Sequence, residues 1–79
     1  MNVLKFTLKD TEIDIVIVKD TIAFAFEKSG NHFGNKIKLP SKKTQDIVSA
    51  TFLLLINALE TLENYENGNV QSAIATVGQ

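Results

Sequence analysis

Apolar and polar residues alternate through the first 39 residues of the chain. Leu4, Phe6 and Leu8 share one face of a strand, and the same period of two continues through three further segments. The apolar positions that extend this face are Ile13, Ile15, Ile17, Ile22, Phe24, Phe26, Phe33, Ile37 and Leu39. Turn residues separate the segments at Asp10-Thr11, Lys19-Asp20 and Ser29-Gly30-Asn31. Connections this short predict an antiparallel four-stranded meander over residues 1–39.

A helical period replaces the strand period after Pro40. Proline cannot donate a ladder hydrogen bond, so it ends the fourth strand. Ser41 or, better, Thr44 can cap the following helix, and Asn67-Gly68 is a suitable terminator. We therefore predict one long helix within residues 41–67.

These elements predict an α+β fold in a single domain of residues 1–79, with the C-terminal helix packed on the sheet. Residues 69–79 form a tail. The helical spacing of its apolar residues favours a short second helix, and a frayed end or pairing as a strand are the alternatives.

The predicted helix has more apolar surface than one sheet can cover. One stripe, at spacings of four and three, is expected to pack on the sheet and consists of Val48, Phe52, Leu55, Leu59 and Leu62. Further apolar residues nearly complete the circumference, which indicates burial on a second side. We predict that a second chain packs there, on an oligomer interface of Ile47, Ala50, Leu53, Leu54, Ile56 and Ala58.

The length of the chain favours the same conclusion. A domain of 79 residues buries about 60% of the surface that its unfolded chain exposes, and such a domain is marginally stable alone. The sequence has no cysteine, so neither disulfides nor thiolate metal sites can add stability. We expect a dimer or a larger homo-oligomer.

The first residues, Met1 to Lys5, lack the basic and apolar regions of a secretory signal. The longest uninterrupted apolar run, Phe52 to Ile56, is far below the roughly 18–20 residues of a membrane span. The sequence therefore predicts a cytoplasmic protein without a membrane segment.

No pattern of catalytic residues is present. His32 is the only histidine, and its place in a glycine-containing loop favours a solvated turn residue over a general base. Asp10, Glu12 and Asp14 could line a site for a hard cation, but a charged strand face is the favoured interpretation. We predict no enzyme activity, no cofactor and no metal site.

All eight basic residues are lysines, and nine acidic residues balance them to a net charge of −1. Lysines near an aromatic residue suit a single-strand binder that tolerates many sequences. The candidate nucleic-acid face consists of Lys28, Lys36, Lys38, Lys42 and Lys43. The absence of arginine and the near-neutral charge disfavour this hypothesis.

The leading prediction is a small, non-enzymatic interaction or regulatory protein that is homo-oligomeric and binds a protein partner. The alternative is a single-stranded nucleic-acid-binding protein. A basic set made only of lysine, together with seven asparagines, also fits an AT-rich coding sequence such as that of a phage or other mobile element.

Overall fold

A computed structural model describes residues 2–68 of the chain, and it confirms the predicted α+β fold. The four strands pair in the order β1-β2-β3-β4 as an antiparallel meander. The predicted second helix of residues 69–79 lies outside the described residues. The elements are β1 (Asn2–Leu8), β2 (Thr11–Val18), β3 (Thr21–Lys28), β4 (Asn31–Lys38) and α1 (Thr44–Glu66).

Three two-residue turns connect the strands, and non-glycine residues occupy left-handed conformations in each. Lys9 and Asp10 have φ values of 49° and 62°, Lys19 has 57° and Ser29 has 54°. Left-handed residues match the twist of a tight hairpin but are costly for side chains with a Cβ. The first turn therefore lies one residue earlier than predicted, and the third is one residue shorter. The residue type of Lys9 did not indicate the first turn, because lysine rarely adopts a left-handed conformation.

The register sorts the alternating residues onto two faces of the sheet. Phe6 pairs with Ile13, Ile15 with Phe24, and Phe26 with Phe33. Paired residues in an antiparallel sheet point to the same side, so these large side chains share one face. We call this the inner face, because α1 packs on it; the opposite side is the outer face.

The helix packs on the inner face over β3 and β4 and touches β2. The side of α1 that is buried there differs from the predicted stripe. It consists of Ala50, Leu54, Ala58, Thr61 and Leu62, whereas Val48 and Phe52 are exposed. The facing sheet surface carries the stacked rings of Phe24, Phe26 and Phe33. Two alanines on the helix leave room for these large rings, which the count of apolar residues did not predict.

Both ends of α1 depend on residues outside the helix. Lys43 occupies the N-cap position without a side-chain cap. The Ser41 hydroxyl instead accepts a hydrogen bond from the Lys43 N–H at 3.1 Å and donates one to the Asp46 carboxylate. Gly68, at a φ of +83°, follows the helix and donates its N–H to the Tyr65 carbonyl at 3.1 Å.

Candidate interaction surface

Part of the surface of α1 is apolar and open to solvent, and its residues do not belong to the buried core. Val48, Phe52 and Ile56 recur at intervals of four along α1, and Leu53 lies three residues before Ile56. We call these four residues the apolar helix face. Their exposed fractions are 61% for Val48, 65% for Phe52, 61% for Leu53 and 44% for Ile56.

Single exposed apolar side chains are common on protein surfaces, but neighbouring ones form a patch that indicates an interaction site. The inner face of β3 and β4 is already covered by the opposite side of α1, where Leu54 is only 2% exposed. The apolar helix face therefore contributes little to the core of the single chain. Its side chains are available to a second molecule.

A groove extends this surface toward β1, whose inner face the helix leaves largely uncovered. The groove has a volume of about 310 Å³, and Leu4 on its floor is 46% exposed. No charged side chain lines it, so it suits an apolar side chain and not an ionic ligand. The lining residues are Leu4, Phe6, Ile47, Val48, Thr51, Phe52 and Leu55.

The interface residues predicted from the sequence divide into two groups. Ala50, Leu54 and Ala58 are buried against the sheet and are not exposed on the surface of the single chain. Leu53 and Ile56 are exposed on the apolar helix face. The remaining predicted residue, Ile47, is partly buried and lines the groove. Helical spacing predicted more apolar surface on α1 than the sheet can cover. It nevertheless placed residues of the buried side in the interface and residues of the exposed side against the sheet.

The structure separates the five lysines of the predicted nucleic-acid face. Lys28 points to the inner side, where its Nζ lies 3.1 Å from Thr11 Oγ1 and 3.9 Å from a Glu66 carboxylate oxygen. Lys36 and Lys38 alternate with the inward Ile37 and so lie on the outer face. Lys28 is therefore not part of one face with them. Lys42 and Lys43 are exposed in the segment before α1.

The surroundings of the outer lysines also weaken this site. Lys38 forms an ion pair with Asp20 at 3.6 Å. The aromatic residues Phe24, Phe26 and Phe33 are buried on the inner face and cannot stack on bases at the outer face. Glu27 lies on the outer face of β3 and adds negative charge there.

The acidic residues Glu12 and Asp14 contact a lysine. Lys5 Nζ lies 3.4 Å from a Glu12 carboxylate oxygen and 3.1 Å from one of Asp14. The hydrogen bond that Lys5 donates to Asp14, together with the charge of both carboxylates, raises the pKa of Lys5 above its ordinary value. Asp10 belongs to the first turn. Within residues 2–68 no group of three or more potential ligands is arranged to hold a metal ion.

His32 lies exposed on β4, directly opposite Glu27 on β3. Its cross-strand neighbour is a carboxylate and not a hydroxyl or thiol nucleophile. The side chain is exposed, as predicted, but His32 lies within a strand and not in the predicted loop.

Two lysines hold the C-terminal end of α1, an arrangement that the sequence analysis missed. Lys9 Nζ lies 3.5 Å from a Glu63 carboxylate oxygen and 3.3 Å from one of Glu66, and Lys28 also approaches Glu66. The hydrogen bond to Glu66 raises the pKa of Lys9 above its ordinary value. The last turn contains no basic residue of its own, so Lys9 from the first turn and Lys28 from β3 partly offset the unfavourable glutamates. Only the long-range packing brings these groups together.

The length and composition of α1 would also allow it to cross a membrane. It has 23 residues, and an 18-residue window has a mean hydropathy of 1.2, with 28% of that window buried. One such helix is weak evidence, because the core helix of a soluble protein meets the same criterion. In this fold the buried side of α1 closes the core on the sheet, and the low buried share reflects the apolar helix face.

No protein-family model, no curated protein sequence and no solved structure matches this chain. The proposals below therefore depend on the surface itself.

Proposed function

We propose that this chain is a non-enzymatic interaction protein that forms a homo-oligomer through the apolar helix face. The observation that carries the proposal is the exposure of Phe52 and its three apolar neighbours, none of which belongs to the buried core. Aromatic residues at the centre of an apolar patch are typical anchors of protein interfaces. The cytoplasm is the proposed location.

Light scattering of the purified chain tests the proposal. We expect a dimer or a larger species whose mass falls on dilution. The double variant Phe52→Gln with Ile56→Gln should be monomeric at the same concentration, because glutamine keeps helix propensity but removes the apolar contact. The matched control, Val3→Thr with Val18→Thr, removes exposed apolar groups from the outer face and should leave the mass unchanged.

Circular dichroism of each variant checks that the fold is intact. A wild-type chain that remains monomeric at all concentrations would refute self-association. The same surface would then be assigned to a different protein, which a folded monomer should bind through Phe52. A homo-oligomer that is unchanged in the glutamine variant would show that another surface holds the copies together.

Single-stranded nucleic-acid binding is the second proposal. It is favoured by four exposed lysines near the end of β4 and the start of α1, namely Lys36, Lys38, Lys42 and Lys43. Without an exposed aromatic residue on that face, binding would be mainly electrostatic. We expect weak binding to an oligo-dT strand that weakens steeply with salt and disappears in Lys36→Glu. Binding that ignores this variant would exclude the lysine face.

A further inference from the structure

We infer that the second copy packs antiparallel on the apolar helix face, so that the lysines before each helix lie beside the glutamates near the end of the other. The inference rests on the proposed self-association and adds the direction in which the two helices run. It follows from the charges at the two ends of α1 and from their distances to the centre of the apolar face.

Each end of α1 carries charges that are unfavourable for its own helix, although Asp46 in the first turn is favourable there. Lys42 and Lys43 precede the N-terminus, which carries the positive end of the helix dipole. Glu60, Glu63 and Glu66 lie near the C-terminus, which carries the negative end. Lys9 and Lys28 from the sheet compensate Glu63 and Glu66. Within residues 2–68, Lys42, Lys43 and Glu60 take part in no ion pair.

An antiparallel second copy would bring opposite charges to both ends of α1. The apolar helix face is centred near residues 52 and 53. At about 1.5 Å per residue, Lys43 lies about 14 Å before this centre, and Glu60 and Glu63 lie about 11 and 16 Å after it. In an antiparallel pair about this centre, Lys43 of one copy therefore lies at the same height along the helix axis as the turn of the other that contains Glu60 and Glu63. A parallel pair would instead place lysine beside lysine and glutamate beside glutamate.

The size of the apolar helix face suits a second copy. Four side chains that are 44–65% exposed present roughly 400 Å² of apolar surface, taking about 150–250 Å² for a large side chain. A standard interface buries about 800 Å² on each partner, of which a little over half is apolar. The face thus supplies most of the apolar part of such an interface, and the flanking lysines and glutamates supply a polar rim.

The same charges argue against an anionic membrane surface as the occupant. Glu60 and Glu63 border the apolar helix face, whereas helices that lie on anionic lipid carry lysine or arginine along the polar face. A second, antiparallel copy of this chain offers lysines about as far from the centre of the apolar helix face as Glu60 and Glu63 are.

A charge swap on the complete chain tests the antiparallel arrangement. Lys43→Glu and Glu60→Lys should each weaken self-association by about tenfold at low salt, because each places like charges in two symmetric contacts. The double variant should restore the wild-type dissociation constant to within about threefold, since it rebuilds both contacts with exchanged signs. Both single effects should fade in about 1 M salt.

The fold itself provides the control. Each single substitution places a favourable charge near its own helix end, so each should maintain or raise the stability of a monomer. Weaker association together with an intact fold therefore identifies the contact between copies. Single effects that the double variant does not reverse would overturn the inference.

Disulfide mapping gives a second, independent readout, because the chain contains no cysteine. Gln45 is exposed in the first part of α1. In an antiparallel pair the Gln45 residues of the two copies lie too far apart to form a disulfide. Gln45→Cys alone should not cross-link under oxidation, whereas Gln45→Cys with Glu60→Cys should form dimers. Cross-linking by Gln45→Cys alone would indicate a parallel pair. That result would reject the antiparallel direction while leaving self-association intact, whereas a monomeric wild type would reject both.

Discussion

The two sides of α1 should respond in opposite ways to truncation. Leu54 is 2% exposed in the core, and Phe52 is 65% exposed on the apolar helix face. Leu54→Ala removes a buried side chain and leaves a cavity, which costs about 3–4 kcal/mol. Phe52→Ala removes a ring of which roughly a third is buried, about 70 Å² or 1–2 kcal/mol at 25 cal/mol per Å². The better helix propensity of alanine offsets about half of that cost.

Urea denaturation followed by circular dichroism measures the difference. A chain of this length has an unfolding free energy of about 4–12 kcal/mol, and a slope near 1 kcal/mol per M places the Leu54→Ala midpoint about 3 M lower. The Phe52→Ala midpoint should fall by about 1 M or less at dilutions where the chain is monomeric. Equal losses, or a larger loss for Phe52, would refute the assignment of the helix faces.

Protein concentration separates folding from association in the same experiment. If the copies associate through Phe52, the wild-type and Leu54→Ala midpoints rise with concentration, because a dimer is stabilised by mass action. The urea midpoint of Phe52→Ala should stay the same at all protein concentrations. A concentration dependence that survives in Phe52→Ala would locate the contact elsewhere.

Three further predictions concern the sheet and the helix terminus. Gly34→Ala should lower the unfolding free energy by about 1–3 kcal/mol, because an added Cβ would lie 2.8 Å from the Phe24 carbonyl oxygen; an unchanged urea midpoint would contradict this crowding. Ser29→Asn should raise stability by about 0.5–1 kcal/mol, since asparagine tolerates the left-handed conformation of this turn and creates an Asn-Gly pair; a lower melting temperature would reject the turn geometry. Lys9→Gln should slightly lower the melting temperature at low salt and have no effect in about 1 M salt, which melting curves at both salts would check. Because Glu66 raises the pKa of Lys9 in the folded state, this contribution is present below the unfolded pKa and is lost as pH rises through the folded one, so alkaline melting curves of the wild type and Lys9→Gln should converge.

The strand pattern was predictable because its cause is local. Ile13 and Ile15, and Phe24 and Phe26, occupy alternate positions of their strands, and a period of two in a short segment indicates a strand with one buried face. The first turn was displaced because Lys9 adopts a left-handed conformation that lysine rarely takes. Pairing between β1 and β2 fixes that turn, and only Asp10, its second residue, is of a type that marks a turn.

The ion pairs at the C-terminal end of α1 could not be predicted for a different reason. Lys9 lies more than fifty positions before Glu63 and Glu66, and nothing near either group specifies the contact. The pairing depends on where the helix ends relative to the turn between β1 and β2. Such contacts follow from the completed fold, whereas the glutamates alone predict only an unfavourable helix terminus.

The mistake over the helix faces has a physical cause that also bears on function. When apolar residues occupy nearly the whole circumference of a helix, periodicity cannot rank one side above another, and the fit to the opposing surface decides. The stacked phenylalanines of the sheet select the side with Ala50 and Ala58, because larger residues there would keep the helix away. Val48 and Phe52 are then left outside. The ambiguity in the sequence and the free apolar helix face thus have one origin: this helix carries two apolar sides, and a single sheet can bury only one of them.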